Sequence, residues 1–157
     1  MKYRQLTKEQ FESLHGEFAH FLASQNIDLN EWNSIKKEKP KVAEEEMNIF
    51  SDIVWDDVLK RTKYLEHFSS NMVNLFKCEE NSIHRIVLKV AIQNINLKEQ
   101  EGYRWLLKNI KEPSVEILQG NKKYRNDRNS EIFDLIEKGS SISKGELFEH
   151  VKNLMTL

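Results

Sequence analysis

Glu46 and Asp57 fall inside the apolar arc of a predicted helix running from Pro40 to about Lys60, and this is where the sequence could hold acid–base chemistry. At 100° per residue, Val42, Ala43, Met47, Ile49, Phe50, Ile53, Val54 and Val58 spread over about half of that helix's circumference. A carboxylate among them must be paired or functional, because burying an unpaired charge is costly and perturbed acids gather at sites. His84 is the candidate third member, and the set would suit a small carboxylate-dependent enzyme. The plainer reading gives each acid a Lys, Arg or backbone donor. Glu45, Asp52 and Asp56 form a second acidic strip on the polar side of the same helix, spaced to share a hard cation. A solvated helix face is the ordinary meaning of that spacing.

The clearest basic cluster is Lys122, Lys123, Tyr124, Arg125 and Arg128, where an aromatic sits among cations. Phosphate contact plus base stacking would use such a set, making nucleic-acid binding an alternative function. Asp127 interrupts the run, and a solvated loop reads equally well. Trp55 and Trp105 fall off the main apolar arcs of their helices. As exposed aromatics they would anchor a protein interface; packing against the hairpin described below is the other reading open to both. Cys78 and His84 lie on adjacent strands. A two- or four-residue hairpin loop sets Cys78 opposite Ile83 and turns His84 to the other face, whereas an odd loop or a bulge would bring the two together. Zinc needs about four ligands, and no convincing set appears. There is no Gly-rich phosphate loop, no GxSxG elbow, no HExxH and no CxxC pair. The sequence thus points to no metal and no cofactor.

The elements that must position these residues can be read from their punctuation. Thr7 and Gln10 form a capping box for a first helix that carries Phe11, Leu14, Phe18, Phe21 and Leu22 and ends near Asn26. Asp28 and Glu31 repeat the device for a short second helix, which stops at Lys39 because Pro40 restrains the residue before it. The long third helix follows. Met72–Cys78 and Ile83–Val90 are rich in strand formers and read as an antiparallel hairpin. In its second strand His84, Ile86, Leu88 and Val90 share one face, and Ile83, Arg85, Val87 and Lys89 share a wetter one. Asn96 can cap a fourth helix with Tyr103, Leu106, Leu107 and Ile110. Val115–Leu118 adds a short third strand, and residues 120–129 read as a polar loop. A fifth helix carries Ile132 to Ile136 and stops at Gly139. Ser143 and Glu146 make a last capping box ahead of Leu147, Phe148 and Val151.

The fold expected is α+β and mainly helical, with about six helices around a small antiparallel hairpin or three-stranded sheet. Phe18, Phe21, Phe50, Ile53, Val54, Ile86, Leu88, Leu106, Ile136 and Leu147 should lie in its core. At 157 residues, with no repeat and no Pro/Gly/Ser linker, the chain reads as a single domain over 1–157. Its net charge of −1, from 24 basic and 25 acidic residues, supplies no global field toward nucleic acid or an anionic membrane. No apolar run approaches the ~20 residues of a membrane helix. One cysteine and an N-terminus without an apolar h-region fit a cytoplasmic setting.

The stretches MKYRQLTKEQF, NIFSDIVWDDVL and ISKGELFE resemble a small family of uncharacterised bacterial proteins of unknown function, and the likeness runs end to end. The resemblance implies a bacterial, cytoplasmic protein and carries no activity or site residue with it. Together with the missing catalytic signatures, this makes a non-enzymatic protein-interaction or scaffolding module the expected function, with a protein partner or self-association. No membrane partner is expected.

Overall fold

The computed structural model describes residues 1–156. They form an α+β protein with seven helices and a five-stranded antiparallel sheet. Two compact units divide the chain, Met1–Lys60 and Arg61–Leu157, and each is described by itself.

The first unit is helical: α1 (Lys8–Ser13), α2 (His15–Ser24), α3 (Leu29–Glu38) and α4 (Pro40–Arg61). Thr7 caps α1 in the expected box, its hydroxyl accepting from Gln10 N–H while Gln10 returns the bond to the Thr7 backbone. The single first helix expected is two, broken at Leu14, whose φ of −107° and ψ of 22° are non-helical. Asp28 accepts from Glu31 N–H at 2.8 Å, and α3 ends ahead of Pro40 as anticipated. Phe11, Phe18, Phe21, Trp32 and Phe50 interlock, with neighbouring ring centroids 5.0–6.2 Å apart. Aromatic pairs in such offset and edge-on arrangements add to simple area burial.

That cluster sets the phase of α4, which is not the phase expected. Ala43, Phe50, Ser51 and Trp55 are buried, whereas Val42, Ile49 and Ile53 lie exposed, Ile53 by 52 %. Ile53 is therefore not a core residue. A buried serine is what displaces the apolar arc. Ser51 Oγ donates to Met47 C=O and accepts from Leu6 N–H at 2.9 Å, so its burial leaves no unmet polar group.

The second unit holds β1 (Tyr64–Phe68), β2 (Met72–Cys78), β3 (Ser82–Val90), α5 (Gln100–Asn109), β4 (Val115–Lys123), α6 (Arg128–Glu137), β5 (Ser141–Ser143) and α7 (Glu146–Met155). The strands run in the order β4-β3-β2-β1-β5. Cys78 stands opposite Ile83, and His84 opposite Lys77, the register of an even hairpin loop. Val73, Leu75, Ile86, Leu88 and Val90 make one sheet face, and α5 and α7 cover it with Leu106, Ile110, Leu147, Phe148 and Val151.

Several expected boundaries move. β4 runs through Lys123, so the polar loop expected over 120–129 is half strand. Asn96 makes a local turn, accepting from Lys98 N–H, and Glu99 is the residue that caps α5. Ser143 belongs to β5, and α7 starts from Gly145 at φ +82°. A Cβ there would come within 2.5 Å of the Tyr64 ring, so close approach as well as the left-handed backbone selects glycine. Gly139, at φ +111°, closes α6 as anticipated.

Candidate functional site

A broad concavity of the second unit lies on the sheet face turned away from α5 and α7. Strand alternation builds it. Odd positions of β3 put Ile83, Arg85, Val87 and Lys89 on its floor, β2 adds Met72, Asn74 and Phe76, and β4 adds Leu118, Gly120 and Lys122. The α6 side contributes Glu131, Asp134, Leu135 and Lys138, and the groove encloses about 1040 Å³.

Five basic residues line it (Arg85, Lys89, Lys122, Arg125 and Lys138) against two acidic ones, Glu131 and Asp134. Arg85 is held in place from below. Buried Asn74 accepts from its Nε at 3.0 Å and from its Nη2, and the Phe76 ring centroid lies 5.8 Å from its Cζ. Two of the five guanidinium N–H groups are used in this way, which leaves donors for a ligand. Gly120 stands opposite Arg85, and a Cβ placed there would have nothing within 4 Å. Glu131 Oε1 accepts from Arg125 N–H at 2.9 Å and lies 3.5 Å from Lys122 Nζ, while its Oε2 is buried without a hydrogen-bond partner.

The carboxylate–histidine set does not assemble. Glu46 and Asp57 are both on α4, about 16 Å apart along its axis at 1.5 Å per residue, too far to act on one bond. Glu46 is half-buried and Asp57 exposed. His84 belongs to the second unit, on the covered sheet face, with Nε2 3.2 Å from Gln119 Oε1 and its ring edge-on to Phe148. The acidic strip of α4 has an unforeseen task. Asp52 accepts from the N–H groups of Lys2 and Tyr3, at 2.7 and 2.9 Å, and Asp56 accepts from the Tyr3 hydroxyl. It holds down an extended N-terminal segment, and the described residues contain no cluster suited to a metal ion.

Trp55 is buried, with the Arg4 guanidinium 5.0 Å from its ring, so it is not an exposed anchor. Trp105 is half-buried against the core beneath α5. The basic cluster is dispersed. Arg128 donates to the carbonyls of Thr62, Cys78 and Glu79, and the Tyr124 hydroxyl donates to Glu79 C=O at 2.8 Å. Both are latches between α6 and the β2–β3 turn, and only Lys122 and Arg125 of the cluster reach the groove. Burial pushes the Tyr124 phenol up to about 12 and the Cys78 thiol up to about 11, so neither is a ready nucleophile. Lys77 and Tyr64 donate to Glu149 at 3.0 and 2.8 Å, and these bonds hold its carboxyl below the usual range.

Sequence alternation marks Arg85 and Lys89 as one wet face. Asn74 and Lys138 carry no such signal, since the first sits in an apolar strand and the second at a helix end. No curated protein and no solved structure matches the chain. The model of the family of unknown function DUF6495 matches residues 1–156, and the chain belongs to that family.

Proposed function

We propose that the chain is a non-enzymatic interaction module of the bacterial cytoplasm, and that the groove receives an acidic, partly apolar segment of a protein partner. The observation that carries this reading is the groove floor, where β3 alternates apolar and cationic side chains. Five bases against two acids favour an anionic occupant. An Arg fixed by Asn74, with donors to spare, suits a carboxylate. Leu118, exposed among the charges, suits an apolar side chain, with Ile83 and Val87 buried beneath it in the floor. The volume lies at the upper end of small-ligand pockets and fits an extended segment better. Single-stranded nucleic acid is less well served, because Phe76, the lining's one Phe, Tyr or Trp, is buried and offers no stacking platform. The bacterial setting rests on the sequence resemblance, and the cytoplasmic one on the lone cysteine. Among the described residues, no helix is long and apolar enough to cross a membrane.

The test is a ¹H–¹⁵N titration with a decapeptide of Glu-Ser-Leu-Ser repeats, which in extended form presents Glu and Leu in turn on one face. Shifts should gather on residues 83–89 and 118–122, spare α7, and weaken as salt rises. Shifts scattered elsewhere, or none at millimolar peptide, would overturn the reading. Groove shifts with oligothymidylate in place of the peptide would reassign the groove to nucleic acid.

A further inference from the structure

The outer edge of β4 is unpaired in the sheet order, and its chemistry is that of a surface made to meet itself. The outward groups can be assigned. Ala91 N–H donates to Ser114 C=O at 3.2 Å, so that pair is hydrogen-bonded across β3 and β4. Alternate pairs down the ladder follow it: Lys89 with Glu116, Val87 with Leu118, Arg85 with Gly120 and Ile83 with Lys122. Val90 N–H donates the opposite way, to Asn71 C=O, as this parity requires. The N–H and C=O groups of Ile117, Gln119, Asn121 and Lys123 therefore point off the sheet edge.

We infer that this edge pairs antiparallel with β4 of a second copy, about a two-fold axis at Gln119, to make one continuous sheet. The outward parity allows only registers that match odd residues with odd. Among these, the register centred on Gln119 sets Glu116 opposite Lys122 of the second copy, twice by symmetry. It also sets Leu118 opposite Gly120 of the second copy. Leu118 is 45 % exposed, and a Cβ at Gly120 would meet nothing within 4 Å, so an exposed apolar side chain faces an open space. Both are non-hydrogen-bonded pairs, in which side chains approach most closely. A register centred on Leu118 sets Glu116 against Gly120, and one centred on Gly120 takes Glu116 out of the strand's span.

Lysines on an edge strand commonly act as guards against pairing. Here Lys122, already 3.5 Å from Glu131 of its own chain, gains a carboxylate of the second copy in the register centred on Gln119. The one acid of β4, Glu116, and its bases, Lys122 and Lys123, occupy opposite ends of the strand, so self-complementarity selects a second copy over a foreign strand. The sheet's other edge, β5, spans only Ser141–Ser143, too short to offer a comparable ladder.

Light scattering on the purified chain across concentration tests this, with Glu116→Lys and Lys122→Glu as variants. The wild type should dimerise. Each variant alone places like charges opposite each other twice and should dimerise about tenfold more weakly. Their equimolar mixture places opposite charges at both positions and should recover the wild-type affinity. Circular dichroism on each variant separates lost pairing from lost folding, and Leu118→Lys, which leaves both charges in place, should also dimerise more weakly. A wild type monomeric up to millimolar concentration would overturn the inference. So would variants that dimerise normally, or a mixture that stays as weak as its parts.

Discussion

Replacing Arg128 with Ala should destabilise the protein strongly for a change at a half-exposed position. Its guanidinium donates to Glu79 C=O at 3.0 Å, to Cys78 C=O at 3.3 Å, and more closely to Thr62 C=O. Thr62 and Cys78 are only 2 % and 4 % exposed, so their carbonyls have little access to water once the arginine is gone. A hydrogen bond to a charged group contributes about 1.5–3 kcal/mol. The bonds to Thr62 and Glu79 count in full, the longer bond to Cys78 adds little, and solvation of a half-buried guanidinium takes part of it back. The net expectation is about 3 kcal/mol for Arg128→Ala. Arg128→Lys keeps the charge but not the fork, and should lose about 2 kcal/mol. Tyr124→Phe removes a second donor from Glu79 C=O while Arg128 still satisfies it, so it should cost under about 1 kcal/mol alone and more when combined with Arg128→Ala. Urea unfolding followed by circular dichroism at pH 7 measures all of these, with hydrogen exchange over residues 79–82 reporting on the turn. A loss under about 0.5 kcal/mol for Arg128→Ala, with unchanged exchange, would refute the latch.

Two further substitutions test packing and burial, alongside the peptide titration and the charge-pair mixing above. A Cβ at Gly102 would come within 1.9 Å of the Asn96 carbonyl oxygen, and backbone cannot swing aside, so Gly102→Ala should cost about 3 kcal/mol or more in urea unfolding. Burial, and then the nearby Glu146 charge, raise the Glu66 carboxyl above its ordinary 4.5. The folded state thus holds that proton more tightly than the unfolded chain, and stability falls as pH rises from 4.5 through the folded value. Glu66→Gln should therefore stabilise at pH 7, by under about 1 kcal/mol because the group is only partly buried, and the gain should vanish near pH 4.

Helix punctuation was the most legible part of the sequence. The Thr7 box, the stop before Pro40 and the Gly139 stop are local chemistry, and local chemistry decided them. The phase of α4 was not local. Its true inner face includes Ser51, which hydropathy counts as outward and which Leu6 and Met47 satisfy. Trp55 fell off the expected arc because the arc was centred on Ile49 and Ile53. β4 was cut short because Gln119 to Lys123 look like loop. An edge strand is solvated on its free side and tolerates polar residues that a central strand would not. β5 is too short to leave a periodic signal. Of the site, the alternation in β3 was readable, whereas the α6 wall was not, because it depends on where Arg128 ties that helix.

The pairing of β1 with β5 bears on how the chain is made. Tyr64 meets Ser143, about eighty residues further on, and closing so long a loop is the entropically dearest step in the sheet. The other three ladders join nearer segments and can form while the chain is still emerging. Until β5 arrives, the growing sheet ends in Tyr-Leu-Glu-His-Phe, an edge well suited to capture a stray strand. Once it docks, the sheet ends in Ser-Ile-Ser. A ribosome that stalls before Ser141 thus releases a chain with a stickier edge than the folded sheet shows, and the interval before β5 is made is the one in which a chaperone would matter most.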